Sequence, residues 1–173
     1  VIELQLLTPD DWSVWRSQRL SALAESPAAF GSRLADWRGE GDREDRWRAR
    51  LSIAGSRNVV AKLGGELAGM ASGVPFPVRP DGSSPRAGVE IELISMWVAP
   101  SVRGHGVADV LIQDLVTWAA SLGAPAVRLS VRETNARAIA FYRRHRFVAT
   151  SERATDEDHT GASVAELVFR KPL

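Results

Sequence analysis

Residues 98–108 read Val98-Ala99-Pro100-Ser101-Val102-Arg103-Gly104-His105-Gly106-Val107-Ala108. Just upstream, 89–98 alternates and is rich in branched side chains, which predicts a strand. Downstream, Val107, Val110, Leu111, Leu115 and Trp118 share one face of a helix over 107–120 that Gly123 and Pro125 stop. The stretch is therefore a glycine-containing turn from a strand into a helix. Gly104 and Gly106 carry no side chain that would block a ligand, the helix start contributes about half a positive charge, and Arg103 adds a full one. Such a turn stabilises a phosphate or pyrophosphate, although ordinary turns use glycine as well. Two nucleotide signatures fail on residues. A Walker loop needs Gly-Lys followed by Ser or Thr, and a dinucleotide fingerprint wants a small residue where Asp109 sits.

Working outward, a second buried strand is predicted over 127–131, and Asn135 caps a helix whose inner face carries Ala138, Phe141 and Tyr142. Strand patterns return at 147–150 and 164–169. On the amino-terminal side, 58–63, Gly64-Gly65 and 66–73 read as a hairpin. Thr8 caps a first helix with Pro9 at its first position, and Trp12, Trp15, Leu20 and Leu23 are expected on one face. After the Ser26-Pro27 break, a mostly solvated helix over about 42–51 carries Trp47 and Leu51 at helical spacing. Four prolines and two glycines make 75–88 a mobile loop by expectation. These elements add up to an α+β sheet with a parallel pair in the middle.

With 173 residues, 45% of them hydrophobic, the chain is expected to be a single domain over 1–173. The absence of cysteine excludes disulfide scaffolds, thiolate metal sites and cysteine nucleophiles, and it suits a reducing cytoplasm. No basic-then-apolar leader opens the chain and no stretch approaches the roughly 18 apolar residues of a membrane span, so no membrane association is expected. A net charge of +1 gives no general attraction to nucleic acid. His105, His145 and His159 are scattered and make no metal site.

The turn resembles motif A of the GNAT superfamily of N-acetyltransferases, R/Q-x-x-G-x-G/A, matched by Arg103, Gly106 and Ala108. In that family the motif follows a strand ending in an aromatic or apolar residue, Val, one residue and Pro, as in Met96-Trp97-Val98-Ala99-Pro100. The later N-x-x-A-x-x-F-Y run of motif B is matched by Asn135, Ala138, Phe141 and Tyr142. The two motifs stand in the right order, about 30 residues apart, and the similarity covers most of the chain. The resemblance implies the GNAT fold, a mixed and mostly antiparallel sheet with a central splayed parallel pair flanked by helices. It implies acetyl-CoA as cosubstrate and no metal. The pyrophosphate would lie on the amides of Arg103, Gly104, His105, Gly106, Val107 and Ala108, and the pantetheine arm alongside Val98 and Asn135. Two residues depart from the pattern. Asp109 replaces a residue that would assist phosphate, and Arg146 stands where glycine usually ends the helix in a left-handed turn.

In this family an amine attacks the thioester directly, without an acyl-enzyme. Tyr142, the only tyrosine, holds the family's general-acid position; the alternative is core packing with its hydroxyl bonded to backbone. Glu92 is the expected base. On a regular strand it shares a face with Glu90, Ile94, Met96 and Val98; a bulge would rotate that register, and the alternative is an acid on a solvated strand end. Ser95 is a weaker candidate for orienting a water. The basic run Arg132, Arg137, Arg143, Arg144 and Arg146 reads as a solvated helix face. Acceptor specificity is expected in 24–38, in 75–88 and in the acidic stretch Asp156, Glu157 and Asp158 between the last strands. The expected acceptor is the primary amine of a small molecule, a metabolite or antibiotic; the alternatives are a peptide or protein amino group, or a non-catalytic acyl-CoA-binding module. A homodimer is a common outcome for such chains.

Overall fold

The computed structural model describes residues 1–79, 81, 83, 88–158 and 160–173. Its strands are β1 (Ile2–Leu7), β2 (Arg57–Leu63), β3 (Glu66–Phe76), β4 (Glu90–Val98), β5 (Ala126–Arg132), β6 (Val148–Glu157) and β7 (Ser163–Pro172). They form one sheet in the order β1-β2-β3-β4-β5-β7-β6. Helices α1 (Trp12–Glu25), α2 (Glu44–Leu51), α3 (Val107–Ser121) and α4 (Ala136–Arg144) flank it. Neighbouring strands are antiparallel except β4 and β5, which α3 connects. That parallel contact is short: Ile91 faces Val127 and Glu92 faces Arg128, and the strands part beyond.

Each face of the sheet has its own core. Leu111, Leu115, Val127, Leu129, Phe147 and Phe169 pack on the α3 side, and Trp15, Trp47, Val60, Met70 and Trp97 on the α1 and α2 side. On α1 the buried positions are Trp15, Gln18, Arg19, Ala22 and Leu23. These follow the helical period from Trp15, which places two polar residues inside and leaves Trp12 and Leu20 only half-buried. The expected face through Leu20 is corrected accordingly. No helix among the described residues is long and apolar enough to cross a membrane.

Three strands differ from expectation. β1 was not anticipated, because an edge strand is paired on one side only; Leu4 and Leu6 stay exposed and only Leu7 is buried. β3 continues through Pro75 and Phe76, so these belong to the sheet rather than to the loop expected over 75–88. Residues 80, 82 and 84–87 of that loop, and His159, lie outside the described residues. β6 runs to Glu157, which places Asp156 and Glu157 in the far edge strand instead of a loop; its side chains are mostly exposed, so no apolar alternation betrays it.

Two local expectations hold. The Asn135 side chain accepts a hydrogen bond from the Ala138 N–H at 3.1 Å and opens α4. Arg146 adopts φ 65° after that helix, in the left-handed turn that suits glycine. The left-handed region costs an L-residue about 1–2 kcal/mol, of which glycine's extra entropy loss offsets part. Arg146→Gly should therefore stabilise the protein by about 0.5–1 kcal/mol and raise Tm by roughly 1–4 °C, checked by thermal unfolding.

Candidate active site

Where β4 and β5 part, two depressions meet. One is a cleft of about 700 Å³ bounded by the end of β4, the turn into α3, and α4. The other is a cavity of about 530 Å³ on the α1 and α2 side. Met96, Asn135, Ala138 and Tyr142 line both.

The turn builds one wall of the cleft. Gly104 and Gly106 have φ 85° and 82°, a conformation that a side chain would strain, and Gly106 directly precedes α3. The N–H groups of Gly104, Gly106, Val107, Ala108 and Asp109 meet no acceptor among the described residues. Open amides at the positive end of a 15-residue helix fit a pyrophosphate. Two of the expected amides are engaged within the turn, since the Arg103 N–H bonds the Pro100 carbonyl at 3.4 Å and the His105 N–H bonds the Val102 carbonyl at 3.3 Å. Val98 lines the cleft, whereas the exposed His105 ring lies 3.2 Å from the Arg103 carbonyl.

Arg103 is not a free charge. Its Nε donates to the Val98 carbonyl at 3.0 Å and its Nη2 to Glu25 at 2.7 Å, and Glu25 also accepts from Trp97 Nε1 at 2.9 Å. Burial works to raise the Glu25 carboxyl, but hydrogen bonds from Ser26, Arg103 and Trp97 outweigh it and hold the carboxyl at about 2. The guanidinium thereby ties the end of α1 to the end of β4. The repulsion expected from Asp109 is likewise offset. Its carboxylate accepts from Arg144 at 2.8 Å and pairs with His145 at 2.7 Å, and these contacts overcome burial to lower its pKa.

Tyr142 stands at the junction, with ring centroids of Phe141 and Phe147 at 5.4 Å and 5.8 Å. Its hydroxyl has no hydrogen-bond partner among the described residues, so the bond to backbone is not formed. Burial pushes the phenol well above its ordinary value, leaving it a protonated donor at neutral pH.

The face that Glu92 occupies is decided by a bulge. Ser95 has φ 55°, and the pairing of β3 with β4 shifts register between Met70 and Ser72. Ile91 and Leu93 precede the bulge and pack on the α3 side; beyond it Met96 and Val98 do so, while Trp97 turns to the α1 side. The face expected for Glu92 is thus broken at Ser95: Ile94 stays with it in the cavity lining, and Val98 belongs to the cleft. Glu92 is half-buried in the cavity wall. Burial raises its pKa, Arg128 opposes that rise and Glu152 adds to it. Glu166 of β7 lines the same cavity, and burial chiefly raises it, with Asp156 and Glu92 contributing and Arg132 opposing.

The 24–38 connection reaches the cavity through Ala29, Phe30, Gly31 and Ser32. Three charged lining residues were not singled out from the sequence: Arg19, Arg50 and Glu166. A signal existed for two of them. Arg19 falls four residues after Trp15, and Arg50 three after Trp47, so each inward-facing tryptophan carries an arginine with it.

The model of the acetyltransferase (GNAT) family matches residues 20–147. No curated protein matches the chain significantly. Solved structures with the same fold include the ribosomal-protein-alanine N-acetyltransferase from Brucella melitensis, 22% identical, covering 99% of each chain with a TM-score of 0.71. The Salmonella typhimurium protein yncA, solved with its cofactor acetyl-CoA, is 18% identical and covers 100% of this chain and 94% of its own, with a TM-score of 0.74. An N-acetyltransferase from Staphylococcus aureus Mu50 is 16% identical, covers 99% of this chain and 98% of its own, and has a TM-score of 0.73.

Proposed function

The chain belongs to the GNAT family of acetyltransferases, and from that premise we propose that it moves an acetyl group from acetyl-CoA to the primary amine of a small molecule, by direct attack in a ternary complex. The observation that carries this reading is the meeting, at Tyr142, of a cleft edged by open amides with a second, half-open cavity on the other side of the site. One space suits the cosubstrate and the other the amine. A cavity of about 530 Å³ matches a small molecule better than a protein surface.

Bound in the cleft, acetyl-CoA supplies the activated thioester. The free amides of Gly104, Gly106, Val107 and Ala108 hold its pyrophosphate, and Val98 and Asn135 flank its pantetheine arm. Glu92 takes the proton released as the amine nitrogen bonds to the acetyl carbon, directly or through water. The Tyr142 hydroxyl gives a proton to the sulfur as the carbon–sulfur bond breaks, so the products are the amide and the free thiol. The ion pair of Arg103 with Glu25 fastens the turn to the end of α1.

The test is thiol release from acetyl-CoA with arylamines, polyamines, aminoglycosides, amino acids and short peptides as acceptors. Turnover of a small amine supports the reading. Turnover confined to peptides transfers it to protein amino groups, and tight acetyl-CoA binding without thiol release from any acceptor overturns transfer in favour of a binding module.

A further inference from the structure

Two arginines enter the cavity without a counter-ion. Arg19 is 9% exposed, its guanidinium lies 4.6 Å from the centroid of the Phe30 ring, and its Nη1 is buried with no hydrogen-bond partner. Arg50 lies 5.0 Å from the Trp15 ring centroid and donates to Asn58 Oδ1 at 3.1 Å, Ser72 Oγ at 3.1 Å and Ser95 Oγ at 3.4 Å. All of those acceptors are neutral. Among the described residues neither guanidinium meets a carboxylate. Trp15 Nε1 is a further buried donor without a partner on a residue lining the same cavity.

An uncompensated buried cation is costly, and a guanidinium cannot shed its charge to avoid the cost. Burial, and for Arg19 also the neighbouring Arg50, pulls both pKa values down to about 10, which still leaves each charged at neutral pH. The carboxylates of the cavity do not compensate them. Glu92 is shifted by Arg128 and Glu152, and Glu166 by Asp156, Arg132 and Glu92, with no contribution from Arg19 or Arg50. The cavity therefore has a cationic pole on α1 and α2 and an anionic pole on β4 and β7.

Resting on the transfer reading above, we infer that the acceptor is an anionic amine, an amino acid or aminoalkylphosphonate, whose anionic group seats on Arg19 and Arg50 while its amine faces Glu92. A planar guanidinium offers paired donors to a carboxylate or phosphonate, and an anion there would also give the orphaned Arg19 Nη1 its missing acceptor. The amine, cationic in solution, is drawn to the opposite pole; it gives its first proton to solvent before attack, and Glu92 takes the second as the carbon–nitrogen bond forms.

The experiment follows thiol release from acetyl-CoA with three matched series: L-amino acids, their carboxamides, and aminoalkylphosphonates of the same chain lengths. The best anionic acceptor should exceed its neutral counterpart roughly 100-fold in kcat/KM, and Arg19→Met should lower the anionic acceptor roughly 30- to 100-fold while sparing the carboxamide. Arg19→Lys should recover part of the preference. Arg19→Met removes a buried unpaired charge at similar volume, so its Tm should equal or exceed that of the parent, which separates loss of recognition from loss of fold. A preference between carboxylate and phosphonate names the anion. Carboxamides acetylated as well as the acids overturn the inference and leave transfer standing. Calorimetric titration with the same acids in the presence of CoA separates the two readings: Arg19-dependent binding without thiol release upholds the anion site and overturns transfer.

Discussion

Replacing Tyr142 with phenylalanine is expected to lower kcat roughly 10²- to 10³-fold while leaving the Kd for acetyl-CoA unchanged. The substitution removes one oxygen from a side chain whose ring contacts with Phe141 and Phe147 remain, so the core is preserved. The hydroxyl bonds to no described residue and, like any phenol, is protonated at neutral pH, with burial raising its pKa further. A thiolate is already a fair leaving group, which is why the loss is large but incomplete. The measurement is steady-state thiol release beside a binding titration with acetyl-CoA. Undiminished kcat would show that the hydroxyl has no part in the proton transfer.

Glu92→Gln is expected to lower kcat/KM at neutral pH roughly 10²- to 10³-fold and to remove the Glu92 break from the acidic limb of the pH profile. The sign follows from the environment. Burial raises the Glu92 carboxyl above its ordinary value, and its proton-accepting form is lost as pH falls through that raised pKa. In the parent enzyme kcat/KM should therefore fall toward acid pH earlier than for a solvated glutamate. The amide variant cannot titrate, so the break due to Glu92 should vanish and only the slope set by the acceptor's own ammonium group should remain. Glu152→Gln tests the same electrostatics from β6: the Glu152 charge raises the Glu92 carboxyl, so neutralising it should move the limb to lower pH. An unshifted limb in Glu92→Gln would assign the proton transfer to another group.

Much of the site was legible because it is local in the chain. The strand, the glycine turn and α3 are contiguous, and so are Asn135 and Tyr142 on one helical face. The left-handed turn at Arg146 was implied by the resemblance, because the family usually has glycine there, and the structure keeps that turn despite the side chain. The edge strands were less legible because β1 and β6 bury little, and the period that reveals a strand is a record of burial.

The sequence alone determined the architecture around the parallel pair and the glycine turn into α3, since each depends on spacing within one segment, and the family resemblance nominated Tyr142 and Glu92 as candidates. Only the tertiary structure decided which face Glu92 occupies, because the bulge at Ser95 arises in the pairing of β4 with β3 across the sheet. It alone decided that Arg103 and Asp109 are held by ion pairs with Glu25 and Arg144, partners 78 and 35 residues away. It decided, too, that Arg19 lies inside and that Arg50, half-buried, lines the cavity. In sequence an arginine looks like a solvated charge, and its burial depends on which distant elements close over it.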